Sequence, residues 1–456
     1  MINLSTIAAI STPNAVGGIA VIRISGEKAI DIAAKVFKPA GGKCVADMAG
    51  YTCAYGYAHD GGERIDDCIL TVFRAPHSYT GEDTAEISCH GGLYVSKRIL
   101  RALLKNGAEN AEGGEFTKRA YLNGKLDLTQ AEAVMDIISA KGETELKMAE
   151  ALREGAAFRK AKKCSDKLMK ILGDLAAWAD YPEEDIPEVE PDALMAELKE
   201  VRGELSTLVE NYDSGRILRE GIATAIIGRP NVGKSTLFNC LSGCDRSIVT
   251  DIAGTTRDIV EETVRIGDLT LRLSDTAGIH ETDDIIEGIG VGMAEKMIAS
   301  SELVIAVFDG SCPLTADDLN LINKIDNKNC IAVVNKNDVF QQLNVNELSK
   351  YFIHIVYISA KENSGVEALE KEINDIFSIN EHTFDNVSAA NERQKRCIDN
   401  ALSSLDEAVS ALESGEFLDA VNVLIDEAEQ SILSLTGEKI TDAVVDEVFS
   451  RFCVGK

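Results

Sequence analysis

The spacing of apolar positions changes character along the chain, and each change marks a block. Through residues 1–120 short runs rich in Val, Ile, Thr, Tyr and Phe ("GGIAVIRIS", "TCAYGYA", "CILTVFRA", "TAEISCHG") are bounded by Gly, Pro or Asp. Such runs predict strands. "LYVSKRILRALLKNGA" repeats its apolar residues at helical spacing and closes at Gly107, which predicts an amphipathic helix. Strands and helices mixed in this way predict an N-terminal α+β domain.

From 121 to 217 the spacing is helical. Thr129 and Glu132 stand as an S/T-x-x-E capping box opening a long helix whose apolar repeat runs through Leu175. The acidic "YPEEDIPEVEPD" breaks it, and Leu194, Leu198, Val201, Leu205, Leu208 and Tyr212 then repeat in steps of four and three. Residues 218–380 switch to apolar runs ("IATAIIG", "LTLRLSDTAG", "LVIAVFDG", "CIAVVNK", "HIVYISA") that alternate with helices, predicting a mainly parallel sheet. Over 381–456 the helical steps resume at Ile398, Leu402, Leu405, Val409 and Leu412. Each helical block has a narrow stripe to cover, so the economical packing lays one stripe on the other. The prediction is a multidomain α/β chain: an N-terminal α+β domain, a helical domain, and an α/β unit inserted into it.

Composition narrows the setting. At 456 residues the chain has room for several cores, and its 45% hydrophobic and 27% charged content is that of a globular protein. No apolar run reaches the length of a membrane span, and the first residues lack the basic and apolar regions of a signal peptide. Eleven cysteines without framework spacing predict reduced thiols in a cytoplasmic protein. A net charge of -29 argues against broad binding of RNA or anionic membranes, while leaving room for a local basic patch. The tail "RFCVGK" has a cysteine at prenylation spacing, but Val454, Gly455 and Lys456 after an acidic approach do not make a lipid-anchor signal.

The α/β unit carries nucleotide chemistry. "GRPNVGKST" fits G-x-x-x-x-G-K-[ST] between an apolar strand and a helix. Backbone N–H groups from Asn231, Val232, Gly233, Lys234, Ser235 and Thr236 cradle phosphates at the helix start. Lys234 reaches the β- and γ-phosphates, and Ser235 is a Mg²⁺ ligand. "DTAG" (Asp275, Thr276, Ala277, Gly278) ends a strand where a Mg²⁺-linked carboxylate and a γ-phosphate amide belong. "NKND" supplies Asn335, Lys336 and Asp338, and a carboxylate there accepts from guanine N1–H and N2–H₂, a pair adenine lacks. "SAK" (Ser359, Ala360, Lys361) packs around the base. Switch I is "VTDIAGTTRD" (Val249 to Asp258, including Thr250, Asp251, Ile252, Ala253, Gly254, Thr255 and Thr256), with Thr256 a second Mg²⁺ ligand. His90, before Gly91 and Gly92, is either a base or a packed, capping histidine.

The phosphate loop, "DTAG", "NKND" and "SAK", in this order, resemble the translation-factor-like GTPases. Asn231 with the Gly-Thr-Thr-Arg-Asp run resembles their potassium-activated branch, which implies K⁺ ligands at Asn231, Thr250, Ile252 and Thr255. Beyond that unit, "GGIAVIRISG", "SYTGEDTAEISCHGG", "GGEFTKRAYLNGKLDLTQAEAV" and the terminal Cys-Val-Gly-Lys resemble the MnmE (TrmE) family of tRNA-modifying GTPases over nearly the whole chain. The resemblance implies an N-terminal domain folded like tetrahydrofolate-dependent one-carbon enzymes, which pairs two copies as a homodimer. It implies 5-formyl- or methylene-tetrahydrofolate bound near Arg23, Glu86, Lys125 and Lys456. It implies a flavoprotein partner, MnmG (GidA), and joint addition of an aminomethyl-type group at C5 of the wobble uridine of certain tRNAs. GTP hydrolysis would drive the conformational cycle. Ile279 replaces the water-orienting Gln of Ras-type enzymes, and Glu287 matches the family's switch-II glutamate. Cys453 becomes a candidate nucleophile or pocket thiol, beside Glu287 and Lys234 as catalytic groups. His280 and Gly288 depart from the arginines of relatives. The alternative is a ribosome-assembly GTPase of the Era or Der type, an RNA-binding switch that normally carries a basic domain.

Overall fold

A computed structural model describes residues 5–42, 44–140, 142–180, 190–209, 212, 216–217, 220–243, 262–266, 269–273, 297–325, 329–377, 391–450 and 452–455. They form two compact units. One takes in Met1–Ser139, Ala149–Ser206 and Glu392–Lys456, the other Ala140–Met148 and Thr207–Asn391.

The chain enters the first unit through β1 (Ile7–Ile10), β2 (Ile19–Ser25), α1 (Ala29–Val36), β3 (Phe37–Pro39), β4 (Thr52–Asp60), β5 (Glu63–Phe73), β6 (Thr84–His90), α2 (Leu93–Lys105), β7 (Glu109–Asn110) and α3 (Glu115–Leu122). The strands form one sheet in the order β3-β4-β5-β6-β2-β1-β7, antiparallel except for β7 against β1. Period-two alternation sends Ile22, Ile24, Leu70, Val72 and Ile87 to one face, where they pack with Ile30, Ile99 and Leu103 of α1 and α2. The other face carries the row Cys53, Thr71, Glu86, Arg23 and Ala9, each opposite the next on its neighbouring strand.

Next come α4 (Leu128–Ser139), α5 (Glu143–Arg153), α6 (Ala156–Asp180) and α7 (Pro191–Ser206). The expected capping box is displaced by two residues. The Asp127 N–H donates to Gln130 Oε1 (3.0 Å) and the Gln130 N–H to Asp127 Oδ1 (2.9 Å), the same reciprocal grammar one pair earlier. Thr129 donates its hydroxyl to Asp127 instead. Glu132 is buried one turn inside the helix, where it accepts from Arg393 Nε (2.7 Å), Arg393 Nη2 (2.9 Å) and Gln394 Nε2 (2.6 Å). The single helix expected through Leu175 is three, the last break falling at Gly155 with φ +77°.

The second unit contributes β8 (Ile222–Ile227), α8 (Lys234–Gly243), β9 (Glu262–Ile266), β10 (Leu269–Leu273), β11 (Leu303–Asp309), α9 (Ala316–Ile322), β12 (Asn329–Asn335), α10 (Val345–Leu348), β13 (His354–Tyr357) and α11 (Val366–Ile376). Its sheet runs β13-β12-β11-β8-β10-β9, parallel except for β9. The central strands are apolar on both faces (Leu303 to Phe308 are all buried), as a sheet covered on both sides requires.

The chain returns to the first unit with α12 (Glu392–Glu413), α13 (Leu418–Thr436) and α14 (Asp442–Ser450). The two stripes meet as expected. Leu198, Val201 and Leu205 of α7 are buried, as are Ile398 and Leu405 of α12, and α6 packs on α13. No described helix is long and apolar enough to cross a membrane.

One buried acid in the bundle has a measurable consequence. Glu429 of α13 is 1% exposed; its Oε1 accepts from Ser165 Oγ at 2.8 Å, and its Oε2 has no hydrogen-bond partner among the described residues. Burial raises its pKa above the ordinary 4.5, against the opposing pull of the Ser165 bond. A raised folded pKa means stability that is full below the ordinary value and is lost as pH rises through the folded value. Glu429→Gln keeps the Ser165 bond and has no charge to bury. Its melting temperature should match the parent at acid pH and exceed it by a few degrees (about 2–4 °C) at alkaline pH, read by calorimetry. A constant difference at all pH would refute the assignment.

Candidate functional site

The phosphate-type loop joins β8 to α8. Asn231 lies at φ +62° and Gly233 at φ +96°, so successive N–H groups turn toward one concavity at the helix start. The Lys234 ammonium donates to the carbonyls of Gly228 and Arg229, each at 2.8 Å, curling the loop around its own side chain. Ser235 and Thr236 are exposed on the first turn and engage no described residue, as does Asn231.

Asn335, at the end of β12, ties the site together. It is 3% exposed, its Nδ2 donates to the Val232 carbonyl (2.9 Å), and its Oδ1 accepts from the Ala360 N–H (3.1 Å). One side chain thus fixes the loop after β8 to the turn after β13. Gly233 is obligatory beneath it, since a Cβ there would lie 2.3 Å from Asn335 Nδ2.

Next to this bridge, Lys336 (φ +65°) places its ammonium 2.5 Å from Asp309 Oδ2 at the end of β11. Burial works to raise the Asp309 pKa, but the Lys336 and Ser311 hydrogen bonds outweigh it and hold the carboxyl below the usual range. Asp338 Oδ1 accepts from Ser359 Oγ at 2.7 Å, which lowers its pKa and leaves Oδ2 and the second lone pair of Oδ1 for other donors. Lys361 is exposed on the same turn. Asp309 escaped the sequence reading, although it ends a strand ("VFDG") just as Asn335 does.

The remaining expected nucleotide residues lie outside the described ones: Thr250, Asp251, Ile252, Ala253, Gly254, Thr255, Thr256, Asp275, Thr276, Ala277, Gly278 and Glu287, together with His280 and Gly288. Among the described residues no group of three His, Cys, Asp or Glu side chains stands ready for a metal.

In the first unit Arg23 and Glu86 come together. They face each other across β2 and β6, with Arg23 Nε 2.8 Å from Glu86 Oε1. The guanidinium lies 5.4 Å from the Tyr79 ring centre and 5.6 Å from that of Phe116, two aromatic walls that the sequence reading missed. Burial, working against its hydrogen bond with Thr117, raises the Tyr79 pKa. Lys125 donates to the Pro76 carbonyl (3.2 Å), so the loop bearing Tyr79 touches both Arg23 and Lys125. His90 holds Asp66 through Nδ1 (2.7 Å) with its ring largely exposed, and that bond raises its pKa.

The tail is docked. Phe449 and Phe452 are buried, Gly114 N–H donates to the Cys453 carbonyl (3.3 Å), and Val454 pairs with Gly113. Gly455 lies at φ +98°, and a Cβ on it would come within 2.6 Å of the Ile10 carbonyl. Ile10 adjoins Ala9, the residue opposite Arg23. The chain end is therefore delivered to the strand beside Arg23, with the Cys453 thiol exposed. Lys456 lies outside the described residues.

Comparison with known proteins places the chain among relatives. Residues 6–125 match the family described as GTP-binding protein TrmE N-terminus, and residues 128–453 match the MnmE helical domain. A protein of Acetivibrio thermocellus named tRNA modification GTPase MnmE is 40% identical over 460 residues, covering 99% of both chains. One of the same name from Lactobacillus acidophilus is 41% identical, covering 99% of this chain and 98% of its own. Among solved structures, Era of Aquifex aeolicus bound to GDP.AlF4- is 27% identical over 40% of this chain and 65% of its own, with a TM-score of 0.26. With two domain matches and full-length relatives of this similarity, the chain belongs to the MnmE (TrmE) family of tRNA modification GTPases.

Proposed function

We propose that the chain is a potassium-activated GTPase that works with the flavoprotein MnmG. Together they add a carboxymethylaminomethyl or aminomethyl group at C5 of the wobble uridine of certain tRNAs, in the cytoplasm. The one-carbon unit comes from 5-formyl- or methylene-tetrahydrofolate. In this account residues 1–120 hold the donor and pair two copies, 121–217 with 381–456 form the helical carrier, and 218–380 hydrolyse GTP.

The observation that carries the nucleotide half is the Asn335 bridge, which ties the phosphate loop to the turn whose Ser359 holds the Asp338 carboxylate. Asn231 to Thr236 hold the phosphates, and Lys234 exchanges its loop carbonyls for the β- and γ-phosphate oxygens. The exposed Ser235 hydroxyl fits a Mg²⁺ ligand, with Thr256 as its companion; the ion neutralises charge on the phosphates. Asp338 and the Ser359–Lys361 turn receive guanine. Asn231, Thr250, Ile252 and Thr255 would hold K⁺, whose charge serves where other GTPases use an arginine. Hydrolysis should accordingly run at least about tenfold faster in K⁺ than in Na⁺. Equal rates would reject the cation site. Glu287 would orient the water.

The Arg23–Glu86 pair between two aromatic rings supports the folate half. A pterin presents an amide and amino edge to a carboxylate and a flat face to the rings, while the tail carboxylates suit Lys125 or Lys456. Ile19, Tyr55 and Ile69 are exposed on the same open sheet face, which supports pairing of two copies there. Titration with folinic acid tests this half. Glu86→Ala should weaken binding by about 10–100-fold, while no binding by the parent protein would reject it.

A further inference from the structure

With 46 basic against 75 acidic residues, a polyanion is repelled by most of this surface. Helix α6 reverses the balance. From Arg153 to Lys170 it and the turn before it carry seven Lys or Arg and two acidic residues, Glu154 and Asp166. Helical spacing buries Ala161, Cys164, Leu168 and Ile171 on one face. It turns Arg159, Lys160, Lys163, Lys167 and Lys170 outward on the other, along about 16 Å of axis. Phe158, Lys162 and Asp166 join Arg159, Lys163, Lys167 and Lys170 in lining a shallow groove of ≈ 440 Å³.

Part of this charge is already answered. Lys163 reaches Glu204 (2.7 Å), Lys167 reaches Glu200 (2.9 Å) and Glu204 (3.2 Å), and Lys162 lies 3.8 Å from Asp166 within the stripe. Arg159, Lys160 and Lys170 make no ion pair among the described residues. Exposed pairs of this kind are worth about 1 kcal/mol or less, so Lys163 and Lys167 can exchange carboxylate for phosphate at small cost.

We infer that the outward face of α6 docks the phosphate backbone of the RNA substrate; the inference rests on the tRNA-modifying function proposed above. The face offers mainly flexible ammonium groups suited to phosphate oxygens, so the contact positions the RNA rather than selecting its sequence. Each neutralised phosphate releases counterions, which gives the interaction a salt signature that a purely structural face would lack.

The test uses the full chain, an unmodified tRNA transcript and a salt titration. The variant Arg159→Gln/Lys160→Gln/Lys170→Gln leaves the Glu200 and Glu204 pairs intact. Its charge-matched control is Lys28→Gln/Lys35→Gln/Lys38→Gln, also exposed. The α6 variant should bind about tenfold more weakly at about 100 mM salt, with a slope of log affinity against log salt shallower by about two. The control should behave as the parent, and both should keep basal GTP hydrolysis. An unchanged slope, or equal losses in the control, overturns the docking face while leaving the modification function standing. Retained tRNA affinity with lost flavoprotein binding reassigns the face to a protein and overturns it too. A parent protein with no affinity for tRNA overturns both.

Discussion

Asp338→Asn should weaken GTP binding by about 100-fold and shift preference toward xanthosine triphosphate. The carboxylate accepts from Ser359 Oγ through Oδ1, and that bond holds its pKa below the ordinary carboxylate range. It is therefore charged throughout the neutral range and presents two acceptors to guanine N1–H and N2–H₂. An amide presents one acceptor and one donor, so one guanine donor meets another donor. Hydrogen bonds to a charged group are worth about 1.5–3 kcal/mol each, and losing one while opposing the other amounts to about 3 kcal/mol. Xanthine carries a carbonyl where guanine carries the amino group, so the amide N–H regains a partner. Competition binding with GTP and xanthosine triphosphate reads the effect. Undiminished GTP preference would mean that Asp338 does not face the base.

Gly233→Ala should reduce nucleotide affinity by about 100-fold or more with little change in the folded state. Two independent features forbid the methyl group. The backbone stands at φ +96°, where L side chains are strained, and the Cβ would lie 2.3 Å from Asn335 Nδ2. Relief requires Asn335 to release the Val232 carbonyl or the Ala360 N–H, so the phosphate loop and the guanine turn lose their common anchor in one step. The β8, β11 and β12 core (Ile305, Val307, Ile331, Val333) does not contain Gly233, so far-ultraviolet dichroism should stay unchanged. Near-parental GTP affinity would show that the anchor is dispensable.

The extent to which this chain is legible follows from the range of each interaction. The strands and the bundle stripes could be read because period two and steps of four and three are local, and the structure buries the residues they select, such as Ile22 and Leu198. The phosphate loop was legible because its spacing is dictated by the phosphates. The cap of α4 was misread by one pair, since Thr129/Glu132 and Asp127/Gln130 obey the same local rule. The choice between them is made by Arg393, which claims Glu132 from 261 residues away. Asn335 read as a base contact, but its work of joining two loops depends on the fold. Arg23 and Glu86 resemble two ordinary surface residues until strand register sets them opposite each other between Tyr79 and Phe116. The docked tail likewise depends on Phe449 and Phe452 being buried against distant helices.

The proposed function is modification of the wobble uridine of tRNA in a reaction gated by GTP. Mass-spectrometric nucleoside analysis of tRNA from cells lacking the protein tests it most directly. Wobble uridines in these cells should lack the C5 aminomethyl-type group, and the parent gene but not the Gly233→Ala variant should restore it. Fully modified wobble uridines in the deletion strain would contradict it.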